Sequence, residues 1–338
     1  MACTRTPTAL REAGRAGWRV SRAVDRDGFR RGGLQELVKE LVVVFEPCGG
    51  DNKLVATGTG PTQADFVRLV QRLPRISSLA LHRPTFDSFT PESLQTLADA
   101  SSLSKITSIG FHLNDSPALL LPILSRTRSV TTLSIGDNTD DRVLNPFPID
   151  TIKVNLHHLR SLTLWGGTLP LQLASLNLLN PASLAQVSTL HYLEDRRDPA
   201  PPSTSNLFDI IGPSLRSLHW GSDLDDITDV LRSCTQLDTL HVAYANRPNS
   251  SDWIRVVPGT VRSIEFDDHR EARTELTTAE REEAWPVGLK EVRVSSMKRW
   301  NEVTVDAEGN ELDAWDEWLP FAHMKEMCSK AGREFVGA

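Results

Sequence analysis

The sequence is short of most features that would announce a chemistry. It has four cysteines, Cys3, Cys48, Cys234 and Cys328, far apart and without a CxxC pair. That spacing argues against a disulfide framework and a cysteine zinc cluster, and points to reduced, mostly structural thiols. No stretch approaches the ~18 apolar residues of a membrane span, and the N-terminus has no apolar signal-peptide core. An intracellular protein, cytoplasmic or nuclear, without a membrane partner is therefore expected. An excess of positive charge is also missing. The 37 Lys and Arg are outnumbered by 44 Asp and Glu, for a net charge of −7, which argues against a nucleic-acid partner. There is no GxxxxGK[ST], HExxH or GxSxG sequence and no dinucleotide-binding glycine fingerprint. Adjacent acids such as Asp225-Asp226 and Asp267-Asp268 are ordinary surface features. No enzyme activity, catalytic residue or cofactor is expected.

What is present is repetition. A pair of apolar residues separated by one position recurs ten times. The pairs are Leu41/Val43, Leu79/Leu81, Ile109/Phe111, Leu133/Ile135, Leu162/Leu164, Leu190/Tyr192, Leu218/Trp220, Leu240/Val242, Ile264/Phe266 and Val292/Val294. A third apolar residue stands three places before each: Val38, Ile76, Ile106, Val130, Leu159, Val187, Leu215, Leu237, Val261 and Leu289. Successive pairs are 38, 30, 24, 29, 28, 28, 22, 24 and 28 residues apart. Most steps lie in the ~20–29 residue range of leucine-rich repeats, and the first two imply insertions.

The pattern dictates an architecture. Apolar residues at every second position mark a half-buried strand. Each strand is too short to be stable alone, so ten stacked in parallel are expected to bury one apolar face. Between them, Phe66, Val67, Leu69, Val70 and Leu73 follow helical spacing, as do Leu94 and Leu97, Leu119 and Ile123, and Ile227, Val230 and Leu231. Thr90-Pro91-Glu92 and Ser116-Pro117 are helix-start signals. The expected fold is an α/β leucine-rich-repeat solenoid (a horseshoe), with a parallel sheet on the concave face and helices and loops on the convex face.

The strand segments Ile76-Ser77-Ser78-Leu79-Ala80-Leu81 and Leu159-Arg160-Ser161-Leu162-Thr163-Leu164 carry a family resemblance. They are similar to the ribonuclease-inhibitor-like branch of leucine-rich repeats, and to the repeats of fungal F-box/leucine-rich-repeat proteins. The resemblance covers residues 34–296. It implies a protein-binding module, a substrate receptor of a ubiquitin ligase, with cullin-type ligase components among its partners. An F-box itself is not found. Residues 1–33 lack its Leu-Pro-x-Glu-Leu-like opening, and Leu34-Gln35-Glu36-Leu37 already serves the first repeat. The alternative on this scaffold is a regulator or activator of a small GTPase.

Three segments are expected. Residues 1–33 hold eight arginines and three acids and read as a poorly ordered, solvated leader; a lost N-terminal domain and an organelle presequence are the other readings. Residues 34–300 form the array. Residues 301–338 form an acidic segment and a C-terminal capping helix. In the last, Glu302 to Glu317 hold seven acids and no base, suggesting an acidic hairpin or loop. Phe321, Met324, Met327 and Cys328 follow at helical spacing, and Glu334-Phe335-Val336 reads as a final strand. Two interruptions of the array are expected, an exposed loop at 194–206 and a short solvated helix within 267–284. In the second, Thr277 and Glu280 have capping-box spacing.

The candidate site comes from columns. Parallel strands stack ~4.8 Å apart, so equivalent residues line up on the free face. The slot inside each apolar pair reads Val42, Ala80, Gly110, Ser134, Thr163, His191, His219, His241, Glu265, Arg293. Its first half is small and bland, and its second half is three histidines, an acid and a base. Trp165, Leu193, Tyr244 and Asp267 follow in the next slots, and aromatic residues among polar groups favour protein binding. The histidines can be read as stacked surface residues, as a partner-binding patch, or as a metal site. The last requires the rings to converge on bonds of ~2.0–2.1 Å. Binding is assigned to His191, His219, His241, Glu265, Arg293, Trp165, Leu193, Tyr244 and Asp267, and no metal is assigned. Unperturbed imidazole titrates near ~6.5, so binding there is expected to respond to pH. A preceding hydroxyl column, Ser78, Ser108, Thr132, Ser161, Thr189, Ser217, Thr239 and Ser263, reads as structural. His82 and His112 read as surface residues.

Overall fold

The structure is a computed structural model that describes residues 40–44, 63–82, 91–112, 120–137, 153–166, 176, 178–194, 205–222, 227–243, 251–267, 269–281, 283–295 and 315–337. The chain divides into two compact units, Met1–Gln186 and Val187–Ala338.

In the first unit, five short strands stack in chain order, all parallel: β1 (Glu40–Val44), β2 (Ser78–His82), β3 (Ser108–His112), β4 (Thr132–Asp137) and β5 (Ser161–Gly166). The register is the one the repeat implies. Leu41 aligns with Leu79, Leu79 with Ile109, Ile109 with Leu133, and Leu133 with Leu162. These residues are buried, as are Phe111, Ile135 and Leu164 in the second slot and Ile76, Ile106, Val130 and Leu159 ahead of the pairs. Each strand is followed by a return segment, so parallel pairing is possible despite strands of five or six residues. Helices α1 (Gln63–Gln71), α2 (Pro91–Ala98), α3 (Leu120–Arg126) and α4 (Pro181–Leu184) bury Val67, Val70, Leu97, Ile123, Leu124 and Leu184. Pro91 opens α2 as its residue type suggests, since the amide it lacks has no helical partner there. At α4 the cap is explicit. Asn180 Oδ1 accepts from the Ala182 amide at 2.9 Å, with Pro181 in the first helical position.

The second unit repeats the scheme with six parallel strands: β6 (Thr189–Glu194), β7 (Ser217–Ser222), β8 (Thr239–Val242), β9 (Ser263–Phe266), β10 (Glu291–Val294) and β11 (Glu334–Gly337). The helices are α5 (Ser205–Ile211), α6 (Ile227–Ser233), α7 (His269–Arg281) and α8 (Trp315–Lys330), with a 3-10 segment at Ser251–Val256. Here the second apolar slot is enlarged to Tyr192, Trp220 and Phe266, all fully buried. Tyr192 and Trp220 stack with centroids 4.9 Å apart, and Phe208 of α5 closes on both at 5.8 and 5.9 Å. Strand and helix thus share one aromatic core, and Trp220 points inward as its slot requires.

One strand per repeat, parallel pairing in chain order and an apolar pair buried in the same register each time define a leucine-rich-repeat solenoid fold. The packing continues through the last described elements. Met324, Met327 and Cys328 of α8 are buried, α8 packs on α7 and β11, and β11 pairs with β10. Cys234 and Cys328 are free and buried. No described helix is long and apolar enough to cross a membrane.

Three expectations need correction. Residues 267–284 do not hold a short solvated helix. Helix α7 runs from His269 to Arg281 and buries Ala272, Glu275, Leu276, Thr278 and Ala279. Thr277 lies well inside it, where its hydroxyl donates to the Arg273 carbonyl at 2.7 Å, so Thr277 is no cap. The acidic stretch does not stay irregular to Glu317, because α8 begins at Trp315. Within 194–206 the ends are regular, Glu194 closing β6 and Ser205 opening α5. The leader 1–33, Thr90, Ser116-Pro117, Cys3 and Cys48 lie outside the described residues.

Candidate functional site

The period-2 geometry of a strand decides which side chains leave the core. In β6 to β10 the flanking apolar residues are buried, so the residue between them is turned to the opposite face. Register then lines these residues up: His191 with His219, His219 with His241, His241 with Glu265, and Glu265 with Arg293. The imidazoles form a graded stack. His219 and His241 lie with centroids 3.9 Å apart and planes 22° apart. His191 and His219 are looser, at 5.2 Å and 50°.

From His241 to Arg293 each member of the column has a polar partner beside it. Asp267 follows β9, its amide bonded to the Val242 carbonyl at 3.2 Å, and its Oδ1 lies 2.6 Å from His241 Nε2. In the tautomer with its proton on Nε2, His241 donates and the carboxylate accepts. Glu265 accepts a hydrogen bond from the Ser295 hydroxyl. Arg293 forms a fork with Glu291, Nε to Oε1 at 2.9 Å and an NH2 nitrogen to Oε2 at 3.0 Å. His219 is different. Its Nε2 is buried and has no hydrogen-bond partner.

The electrostatics follow from that enclosure. Burial, and then the neighbouring His241 and His191, push the His219 pKa down to about 4, against a smaller pull from Asp267 and Glu265. His191 is lowered by burial and by His241. The hydrogen bond with His241 holds Asp267 below its ordinary value, against an opposing effect of burial. At neutral pH the centre of the column is therefore a neutral ring with one unpaired nitrogen beside an ionised carboxylate. A neutral imidazole offers one donor and one acceptor. The two described thiols are poor nucleophiles, since burial pushes Cys234 up to about 12 and Cys328 up to about 11.

Of the residues singled out in the sequence, His191, His219, His241, Glu265, Arg293 and Asp267 come together in this unit. Leu193, at the end of β6, is half-buried and packs over Gly221, where a Cβ would lie 2.6 Å from Leu193 Cδ2. Trp165 belongs to the first unit, where its ring covers Gly136. Tyr244, and the side chains of Val42, His82 and His112, are outside the described residues. Two members went unnoticed in the sequence. Glu291 stands in the slot that β2 to β9 fill with Ser or Thr and β1 with Glu40, two residues before Arg293 and so on the same face; that spacing was the available signal. Ser295 carried none, because it follows the strand.

A second feature lies elsewhere in this unit. A groove of about 620 Å³ runs along the entry ends of β7 to β10, lined among others by Arg216, Asp238, Arg262 and Lys290. All four are exposed, and Arg262 pairs with Asp238 at 3.4 Å.

No family model matches the chain, and no curated protein matches it. Among solved structures, the leucine-rich repeat-containing protein LegL7 from Legionella pneumophila is similar over 80% of this chain and 77% of that one, at 14% identity and a TM-score of 0.39.

Proposed function

We propose that this chain is a protein-interaction module whose partner docks on the outward slots of β6 to β10. His191, His219, His241, Glu265 and Arg293 would form the contact surface, with Leu193 and Asp267 at its margin. The observation that carries this reading is the buried, unpartnered Nε2 of His219 in the middle of a stacked column. An unmade hydrogen bond at a buried nitrogen costs ~1–3 kcal/mol. A partner that supplies the missing group recovers part of that cost on binding. The flanking Asp267 and Arg293 would set the partner's orientation by charge, which governs specificity more than affinity.

The finer reading is a substrate receptor of the kind found in F-box/leucine-rich-repeat ubiquitin ligases. Its support is the sequence resemblance of the strand segments, and the chain would act by selecting a protein, without chemistry of its own. The experiment is affinity capture from cell extract on the immobilised full chain, followed by identification of what is retained. Co-recovery of cullin-ligase subunits with a substrate supports the receptor reading, and recovery of one small GTPase would replace it with the activator reading. The same capture by a His191→Ser, His219→Ser, His241→Ser variant of unchanged melting temperature tests the surface. Loss of the partner is expected, and full retention rejects the site.

A further inference from the structure

We propose that His219, His241 and Asp267 form a binding site for a divalent transition-metal ion, with zinc the ion that fits best. The observation is a convergence of donors from three successive elements. His219 comes from β7, His241 from β8, and Asp267 from the residue after β9. One ligand atom from each lies within 4.8 Å of the other two. Two imidazoles and a carboxylate suit zinc and its first-row neighbours, whereas magnesium and calcium take oxygen sets.

Distances allow the site with small movements. Bonds of about 2.0–2.2 Å in a tetrahedron place ligand atoms about 3.3 Å apart. The Asp267 to His241 contact at 2.6 Å must open by several tenths of an ångström. The other two separations lie within 4.8 Å and have at most about 1.5 Å to close. A ring binds a metal in its own plane, so two rings only 22° from parallel cannot aim at one ion as they stand. One must turn about its Cβ–Cγ bond, a torsion with a broad minimum for histidine. Asp267 has room to follow, since its side chain is 47% exposed.

Chemistry favours that turn. His219 Nε2 has no partner to lose, and a metal would satisfy it. The hydrogen bond of His241 with Asp267 would be exchanged for two metal bonds. Three protein ligands leave a fourth position for water, or for a donor from a bound protein. His191 is left out. It is the loosest member of the stack, and the convergent set does not include it.

The test is zinc titration of the purified full chain by calorimetry, together with cobalt substitution. Wild type is expected to bind one zinc that His219→Ala, His241→Ala and Asp267→Asn each lack or hold at least about tenfold more weakly; supporting groups outside the ligand set already account for 10–100-fold. The cobalt form should show the intense visible bands of a tetrahedral ion, absent from the variants. Zinc should raise the melting temperature of wild type and of His191→Ala and leave that of the three ligand variants unmoved. Circular dichroism of the apo variants separates a lost ligand from a lost fold, and Asp267→Asn is conservative enough to keep the site testable. Failure of wild type to bind zinc overturns the proposal. So does undiminished binding by all three variants, which would place the metal elsewhere. Failure to bind zinc leaves the docking reading standing, whereas bound zinc would take up the His219 nitrogen on which that reading rests, so partner capture is repeated with the zinc-loaded chain.

Discussion

The two units are built on one repeat and filled differently. In the first, the inward second slot holds Phe111, Ile135 and Leu164, and the outward slot holds Ala80, Gly110, Ser134 and Thr163. In the second, the inward slot carries Tyr192 and Trp220, and the outward slot carries three histidines, an acid and a base. Backbone geometry is shared, since both use short parallel strands in the same register. The repeat therefore specifies where a side chain points and leaves open what it does. The proposed contact surface lies where the slots hold imidazoles and charged groups, in β6 to β10.

The largest test of that contrast is inside the core. Trp220 is fully buried against Tyr192 and Phe208, and Trp220→Ala should cost about 3–5 kcal/mol in urea unfolding. Leu164→Ala, in the equivalent slot of the first unit, should fall in the range of about 2–5 kcal/mol for a buried leucine. A smaller loss at Trp220 than at Leu164 would break the idea that the aromatic core is the more demanding of the two.

The second unit should also respond to pH in a way that the first has no described group to match. Burial pushes Glu275 of α7 up to about 7, with the neighbouring Trp253 indole pulling it down. Neither Glu275 Oε2 nor Trp253 Nε1 closes a hydrogen bond. The folded state thus favours the protonated acid. This contribution is fully present at pH values below the ordinary carboxylate range, declines as pH rises, and is lost above about 7, where the folded form must also ionise. The loss should be about 1–3 kcal/mol after allowing for solvent screening. Glu275→Gln should flatten the profile and melt higher than wild type at pH 8. Parallel wild-type and variant profiles would show that Glu275 is not responsible.

A milder test belongs to the first unit. Trp165 lies over Gly136, where a Cβ would come within 2.5 Å of the ring. Gly136→Ala should cost about 1 kcal/mol, at the low end for overpacking, because the half-exposed ring can swing aside. An unchanged melting temperature would mean that Trp165 is held only loosely against the strand.

How much of this was legible in the sequence differs by level. The apolar slots gave strand positions and register, because a shift by one residue would have turned every core side chain outward. In the last strand the register holds, with Phe335 opposite Val292, but the second slot falls to Gly337. Helix α7 was misjudged for a physical reason. Its buried residues are Ala272, Glu275, Leu276, Thr278 and Ala279, and small residues with a carboxyl and a hydroxyl among them do not read as an apolar face. In the site, the histidine column followed from register alone. The ring stack, the Asp267 contact and the lone Nε2 of His219 depend on rotamers and on the backbone after β9, which periodicity does not encode. The Glu291–Arg293 fork needed only the same period-2 reasoning, applied to a slot that β2 to β9 fill with hydroxyls.

The most direct test of the account compares the two outward columns as binding surfaces. One variant carries His191→Ser, His219→Ser and His241→Ser; the other carries Ala80→Ser, Ser134→Ala and Thr163→Ser in the first unit. Both are brought to equal folded concentration, and their affinity for the partner captured by wild type is measured. The account predicts at least a tenfold loss for the histidine variant and no change for the other. Equal affinity of both variants and wild type would contradict it.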